Sequence, residues 1–582
     1  PVDGTVRLEE SGAKLVFDSA EALRPGGRYI AKLLAELRDT EGNRFGSPYE
    51  WLVQIQEQTL LAGIHVVPHR AQQNVNPGAV IRVEFPADMD PSSITPQSLQ
   101  LTQSGISVAA TVSYDERGWI PTAYLHPIDE LSRDAEYTLQ VAGSVATAAG
   151  QTLNEPIVST FRTASLPRDS IQFGDAGRNA ASAVAIDSVG NLFVLEHHSD
   201  YRQAADANGP LIRDSIRKFS RQKTRVWDVT PISDPLVSLN TVVTTNDDDI
   251  IVAGWGTGAG FNDPPFAGGS AAAVLKLSGT DGRTAWIRKD MGQDLAAVNA
   301  IVVDTSGNVY IAGYTNDALV VDAQGKPSNI VVAKLDASTG ATLWINQLDT
   351  PGSDAAATLA LNQNATITLA WVSEAPFVPV QSSTAAELFI AQMSAETGSI
   401  RNQRSSPLGE FETPPRLAIT AAQVIVASGN RNVTTDVLDT IVRSYDLSSG
   451  DLRWQTALGF SYYGAPTSVA TDRTGNMYIA GFTVAYAETA GDPAHNGGFI
   501  TRISDVDGAV VWQRIVSAEK DPHAVDTATA RTSFEDLKID AGGNVVVTGS
   551  IFGSGFIDGF TSFGSGDAFV VTLTSAGEFL LK

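Results

Sequence analysis

At 582 residues the chain exceeds what one ordinary core covers, so several domains, or a domain plus a repeat array, are expected. Its 40 Lys and Arg against 65 Asp and Glu give a formal charge of −25, which lacks the basic surface a phosphate backbone demands and excludes nucleic acid as a partner. With no cysteine, disulfides, thiolate metal sites and cysteine nucleophiles are excluded together, and no apolar run reaches the ~18 residues of a membrane-spanning helix.

The chain opens at Pro1 without Met or a signal peptide, so a processed or partial product is expected, with a signal and more polypeptide upstream. Residues 58–165 read as a β-sandwich of short strands at 79–85, 108–114, 123–126, 137–141 and 159–162, separated by turn-rich segments. The stretches Val83–Thr95, Leu131–Leu139 and Thr160–Thr163 resemble the bacterial Ig-like domain of S-layer and other surface proteins. Residues 1–57 repeat only the second half of that pattern: 2–12 line up with 108–118, and Leu23 and Tyr29 with Leu131 and Tyr137. Half a sandwich leaves an apolar face and unpaired strand edges. Either the chain begins in mid-domain, or a neighbouring molecule supplies the missing strands and the joint builds a filament or lattice.

From about residue 170 one motif recurs. Its fullest copy is Val303-Asp304-Thr305-Ser306-Gly307-Asn308-Val309-Tyr310-Ile311-Ala312-Gly313-Tyr314-Thr315. Relatives open their second strand near residues 191, 249, 365, 423, 476 and 544, about 58 residues apart, which is the signature of a repeat architecture. A second signature, two strands around a short turn and often ending in Trp, as at Ile330–Trp344, returns in the other units, in weaker form at Ile216–Trp227. Seven inner and seven outer units predict a seven-bladed β-propeller over 166–582, and an all-β fold for the whole chain. The Gly-Asn pair supplies the positive φ of a tight hairpin, so folding alone accounts for the repetition.

These copies resemble the bacterial SBBP-type propeller repeat, although units four and five lack the Asp and the Gly-Asn of the turn. The resemblance implies a surface or secreted scaffold and brings no shared catalytic residues. It also implies that Ser170-Ile171-Gln172-Phe173-Gly174, which has the form of the segment that follows the last repeat, pairs into the last blade and closes the ring. The stretch Asp336–Trp344 is similar to the docking motif of quinoprotein dehydrogenases, but those build eight blades and often use adjacent cysteines, so a quinone is not expected.

Chemistry is expected on the long loops of one face, near 196–212, 255–270, 314–328, 372–386, 482–497 and 549–566. One repeat position at their start reads His197, Trp255, Tyr314, Trp371, Gly429, Phe482 and Ser550. The aromatic members and His197 are the candidate ligand-binding residues, a rim on which sugars stack, with packing between blades as the competing role. Asp505 and Asp507, in Asp-Val-Asp-Gly, look like a fragment of a calcium loop, as does Asn246–Asp249, without the remaining ligands. Calcium is therefore the one cofactor considered. His197-His198, the domain histidines His65, His69 and His126, and the loop histidines His495 and His523 do not form a metal pattern. No nucleophile elbow, phosphate loop or zinc-protease helix occurs, so no enzyme is expected. The reading is an extracellular structural or adhesive protein, with Ig-like modules as stalk or assembly joint and the propeller as head. Its partners would be copies of itself, other surface proteins or glycans. A polysaccharide lyase or hydrolase, or a secreted glycan-binding module, is the alternative.

Overall fold

The computed structural model describes residues 4–9, 14–19, 28–33, 49–54, 64–79, 81–115, 121–153, 155–165, 169–174, 178–200, 211–232, 237–257, 270–289, 297–315, 329–348, 353–362, 366–374, 386–409, 413, 415–432, 437–460, 463–484, 497–517, 519–520, 531–552, 555–556 and 566–580. Regular structure there is almost entirely strand, with one short 3-10 turn at Pro91–Ser93. None of it is a helix long and apolar enough to cross a membrane. The chain divides into two compact units: residues 1–167 with two short loop pieces, and the remainder.

In the first unit, residues 64–165 form two antiparallel-rich sheets. One orders Ala110–Asp115, Thr122–Pro127, Ile81–Glu84 and His65–Val67; the other orders Gln72–Val75, Ile157–Thr163, Glu136–Val141, Leu99–Gln103 and Ile106–Ser107. Alternation places Val83, Leu125, Leu139 and Phe161 in the core, each at most 1% exposed, and Tyr137 stacks on Phe161 at 5.6 Å. This is the expected Ig-like domain. Gln72–Val75 and Leu99–Gln103 were not foreseen, because their alternation is short and polar on the outward side. Before it, Gly4–Glu9 pairs with Lys14–Ser19, and Arg28–Leu33 with Tyr49–Gln54, as two antiparallel hairpins.

The second unit is a β-propeller of up-and-down antiparallel sets. The inner strands are Arg178–Ile186, Val237–Thr244, Ala297–Val303, Ser353–Asn362, Arg416–Ile419, Tyr463–Thr471 and Arg531–Ile539. Each pairs outward through a second and third strand to a fourth. Among the described residues there are seven such sets. Each inner strand touches those of the sets before and after it, and the first touches the last, so the cycle is closed. The fourth strand of the final set is Ser170–Phe173, which pairs antiparallel with Gly566–Leu573, Ser170 opposite Val571, as expected. Gln172 Nε2 donates to the buried Asp567 carboxylate at 2.6 Å and fastens the join.

The repeated residues act locally. In the hairpin turn Asp304 Oδ1 accepts from the main chain of Ser306 and Asn308 at 2.9 and 2.8 Å, while Oδ2 accepts from Asn308 Nδ2 at 3.0 Å. Gly307 takes the positive φ of 84°. Asp187, Asp472 and Asp540 repeat the arrangement. In the fifth set Thr420 Oγ1 stands in, accepting from Gln423 N at 2.9 Å. Gly313 answers a different demand: a Cβ there would lie 1.8 Å from the Ala297 carbonyl oxygen, because the inner strand bulges toward it.

The Thr-Gly turn and the tryptophan join neighbouring sets. Trp344 packs over Gly398 of the next set, and its Nε1 donates to the Ala395 carbonyl at 3.3 Å. Trp227, Trp286, Trp454 and Trp512 make the same bond to Gly279, Ala337, Asp505 and Ser575. Between the fourth and fifth sets, where the strand Ile400–Gly409 has no tryptophan, Ser406 Oγ bonds the Gly450 carbonyl instead. Apolar clusters fill the junctions behind this girdle, such as Tyr310, Ile330, Leu369 and Trp371 between the third and fourth sets.

Candidate functional site

His197, Trp255, Tyr314 and Phe482 occupy one register position in their sets, while Trp371 stands one residue earlier, opposite the bulge of its inner strand, and no two of the five share a ring contact or hydrogen bond among the described residues. Trp371 is fully buried and stacks on Phe389 at 5.2 Å. Tyr314 packs against the same core cluster, and Phe482 stacks on Tyr463 at 5.7 Å. Trp255 stays 38% exposed. Most of each long loop that follows them, together with His495 and His523, lies outside the described residues.

Asp505 and Asp507 lie in the turn between Gly497–Ile503 and Val510–Val516. The Asp505 carbonyl receives Trp454 Nε1 and Gln423 Nε2, at 3.3 and 3.2 Å. Asp507 Oδ1 accepts from Ala509 N at 3.1 Å, and hydrogen bonds from Ser504 and Ala509 hold its pKa below the usual carboxylate value. The acids of 246–249 are likewise engaged. Lys276 bridges Asp247 and Asp249 at 3.3 and 3.1 Å, and Asp248 accepts from Ser188 of the first set at 2.8 and 2.7 Å. Among the described residues no three His, Asp or Glu side chains gather into a cation cage.

His197 is engaged in a way its sequence position does not announce. Its Nδ1 bonds Asp214 Oδ1, while Asp214 Oδ2 takes the main-chain N–H of Leu239 in the second set. The Asp214 side chain is 3% exposed. Burial acts to lower the His197 pKa. The Asp214 hydrogen bond, with the negative charges of Asp214, Glu535 and Glu196, outweighs it, and the net shift is upward.

Glu535 sits in the bulge of the last inner strand, between Phe534 and Asp536. Its pKa is raised by burial, opposed by a Ser533 hydrogen bond and by the positive charges of Arg416 and His197. Its neighbour Asp536 ties three sets together: it accepts from Val184 N of the first at 3.1 Å, Ser468 Oγ of the sixth at 2.8 Å and Lys538 Nζ at 2.7 Å. Arg416 opens the fifth inner strand opposite Ala427, the register Asp536 holds opposite Thr548. Arg416 is exposed to solvent, and Glu535 and His197 are half-buried. The surrounding protein lowers the Arg416 pKa by desolvation, against the charges of Glu535 and Asp536. Glu535 of the seventh set thus feels both the Arg416 guanidinium of the fifth set and the Asp-backed His197 imidazole of the first. Such groups can bind an anion and hold or release a proton.

Of this cluster the sequence singled out His197 alone. The available signal was a departure from the repeat, since the inner-strand position holding Arg416 and Asp536 is Ala183, Thr241, Ala300, Thr358 and Ser468 elsewhere. Beside it, Glu196, His198, Arg213, Ser215, Arg217 and Asp228 line a polar cleft of about 340 Å³ on the first set. There Arg217 Nε donates to the fully buried Glu196 at 2.6 Å.

A family profile described as bacterial Ig-like domain matches residues 59–163, and one described as β-propeller repeat matches residues 294–319. No curated protein matches the chain. Among solved structures, BamB from Moraxella catarrhalis is 12% identical, covering 70% of this chain and 97% of that one, with a TM-score of 0.33. An ulvan lyase, a polysaccharide lyase solved with -[GlcA(1-4)Rha3S]-, is 11% identical, covering 71% and 98%, with a TM-score of 0.41. The propeller domain of the Trilobed protease from Pyrococcus furiosus is 7% identical, covering 69% and 95%, with a TM-score of 0.38.

Proposed function

We propose that this is an extracellular cell-surface protein whose Ig-like modules serve as stalk or assembly joint and whose seven-bladed propeller is a displayed binding head for glycans. The reading is supported by three inner-face side chains that break the repeat, Arg416, Glu535 and His197, with Glu535 of one set under the charge of the other two from separate sets. Strands hold their backbones rigidly while the side chains remain in contact with water, which suits a preformed site. The repeat residues themselves are used up in turns and junctions, so binding falls to the residues that break the repeat.

The test is retention of the intact chain on a panel of immobilised polysaccharides, beside a variant carrying Arg416→Ala and Glu535→Ala. Selective retention that the double variant loses is expected; retention of neither protein, or of both alike, refutes the binding head. A polysaccharide-cleaving enzyme is the second reading, favoured by the His197–Asp214 pair beside Glu535. It predicts new reducing ends or 235 nm absorbance on incubation, and unchanged polymer length would refute it.

A further inference from the structure

We infer that the polar cleft on the first set is a binding site for one unit of an acidic sugar, a uronate or a sulfated hexose, with Arg213 and Arg217 as the contacts for its anionic group. The site uses neither Arg416 nor Glu535, so it holds or fails independently of the binding-head reading.

Strand register makes the grouping. In Leu211–Phe219, alternation buries Asp214 and Ile216 and turns Arg213, Ser215 and Arg217 to the opposite face, where all three line the cleft. On the strand before, His198 stands opposite Arg213 and Glu196 opposite Ser215; on the strand after, Asp228 stands opposite Arg217. The cleft holds about 340 Å³. That is the lower end of the range for small-ligand clefts, about 300–1,000 Å³, and gives room for a single sugar ring. Val229 is the one apolar residue of its lining and no aromatic ring takes part, so a ligand is recognised there by hydrogen bonds and charge.

The acids of the cleft are committed. Glu196, fully buried, accepts from Ser215 Oγ at 3.0 Å and Arg217 Nε at 2.6 Å, and Asp228 accepts from Arg225 at 3.2 Å. The guanidiniums keep donors in reserve. Arg217 spends Nε alone. Its Cζ lies over the Phe173 ring at 5.2 Å, so a fork already held in place keeps its two terminal nitrogens for a ligand. Arg213 is exposed and makes no hydrogen bond or ion pair among the described residues. Two arginines two positions apart on a strand start roughly 7 Å from each other, and their long side chains can close on one carboxylate or sulfate. Ser215, Thr230 and His198, whose Nδ1 is bonded to Asn179 Oδ1 at 3.1 Å, stand around them as partners for sugar hydroxyls.

The experiment is calorimetry of the full chain with four probes: methyl galacturonoside, its neutral methyl ester, galactose 6-sulfate and sodium sulfate. The acid, the sulfated sugar or both are expected to bind roughly tenfold more tightly than the ester, and which of them does so identifies the anion. Arg213→Gln, at an exposed side chain, is expected to erase that difference and leave the ester unchanged, with Arg213→Lys retaining part of it. Asp228→Asn removes a negative charge from the cleft and is expected to tighten the acidic sugars roughly twofold. The Arg416→Ala, Glu535→Ala double variant is expected to bind all four probes as the parent does. Equal binding of acid, sulfated sugar and ester, binding of none, or a preference that survives Arg213→Gln overturns the site. Sodium sulfate held as tightly as the acidic sugars overturns it as a sugar site, and a preference lost in the double variant overturns its place in the first set. Matching melting curves for Arg213→Gln, Asp228→Asn and the parent certify that the variants are folded.

Discussion

At the scale of single residues, the His197–Asp214 bond sets a proton equilibrium. Its folded pKa is raised above the ordinary value of about 6.5. The pair therefore adds stability that is full below pH ~6.5 and is lost as pH rises through the higher folded value. A proton NMR titration of the imidazole is expected to show the upward shift, and Asp214→Asn to bring the midpoint down; an unchanged midpoint would refute the assignment. Asp472 has the opposite sign. Burial acts to raise its pKa, but hydrogen bonds from Asn476 and Thr474 prevail and lower it. Its stabilisation is thus present above the unfolded value near ~3.9 and fades as pH falls through the folded one. Asp472→Ala strands the main-chain N–H groups of Thr474 and Asn476 and is expected to cost about 1–2 kcal/mol in urea unfolding. These turn aspartates were legible because one repeat displays them many times. Arg416 and Glu535 were not legible. They lie in different inner strands, and no local pattern says that a closed ring brings their charges together.

At the scale of elements, the fourth-strand tryptophans show how one blade recognises the next. The sequence showed the Thr-Gly and Trp positions as two marks of one hairpin. In the structure the tryptophan reaches across to the following hairpin's glycine, an inter-set contact that spacing within one copy does not reveal. Trp344→Ala removes that packing, the Ala395 bond and the 6.1 Å ring contact with Tyr310, and is expected to cost about 3 kcal/mol by urea denaturation. A loss below about 1 kcal/mol would mean that the girdle is ornamental. The rim aromatics make the converse point. Hydropathy does not separate a ring that binds from one that packs, and Trp371 packs while Trp255 stays partly exposed.

At the scale of the molecule, the architecture was legible because seven imperfect copies vote on one pattern, and the degenerate fourth and fifth still build full sets. The fifth set's turn tolerates Thr420 for Asp because the need is only for an acceptor facing the loop amides. Closure is where nearest-neighbour stability becomes collective. Phe173 lies buried in the closing strand, 5.1 Å from Phe219 of the first set. Phe173→Ala is expected to lower unfolding stability by about 3 kcal/mol and to broaden the transition as the ring opens before it melts. A sharp, unshifted transition would show that the strand is dispensable.

The same join imposes an order of events. Ser170–Phe173 leaves the ribosome roughly four hundred residues before Gly566–Leu573, its partner in the sheet. Until that late strand arrives, the early one has no edge to join and the cycle cannot close. Closure of the propeller is therefore acquired only after the last repeat has emerged, and a chain cut short before residue 566 leaves Ser170–Phe173 without its partner and Val545–Phe552 with an open edge that the native ring covers.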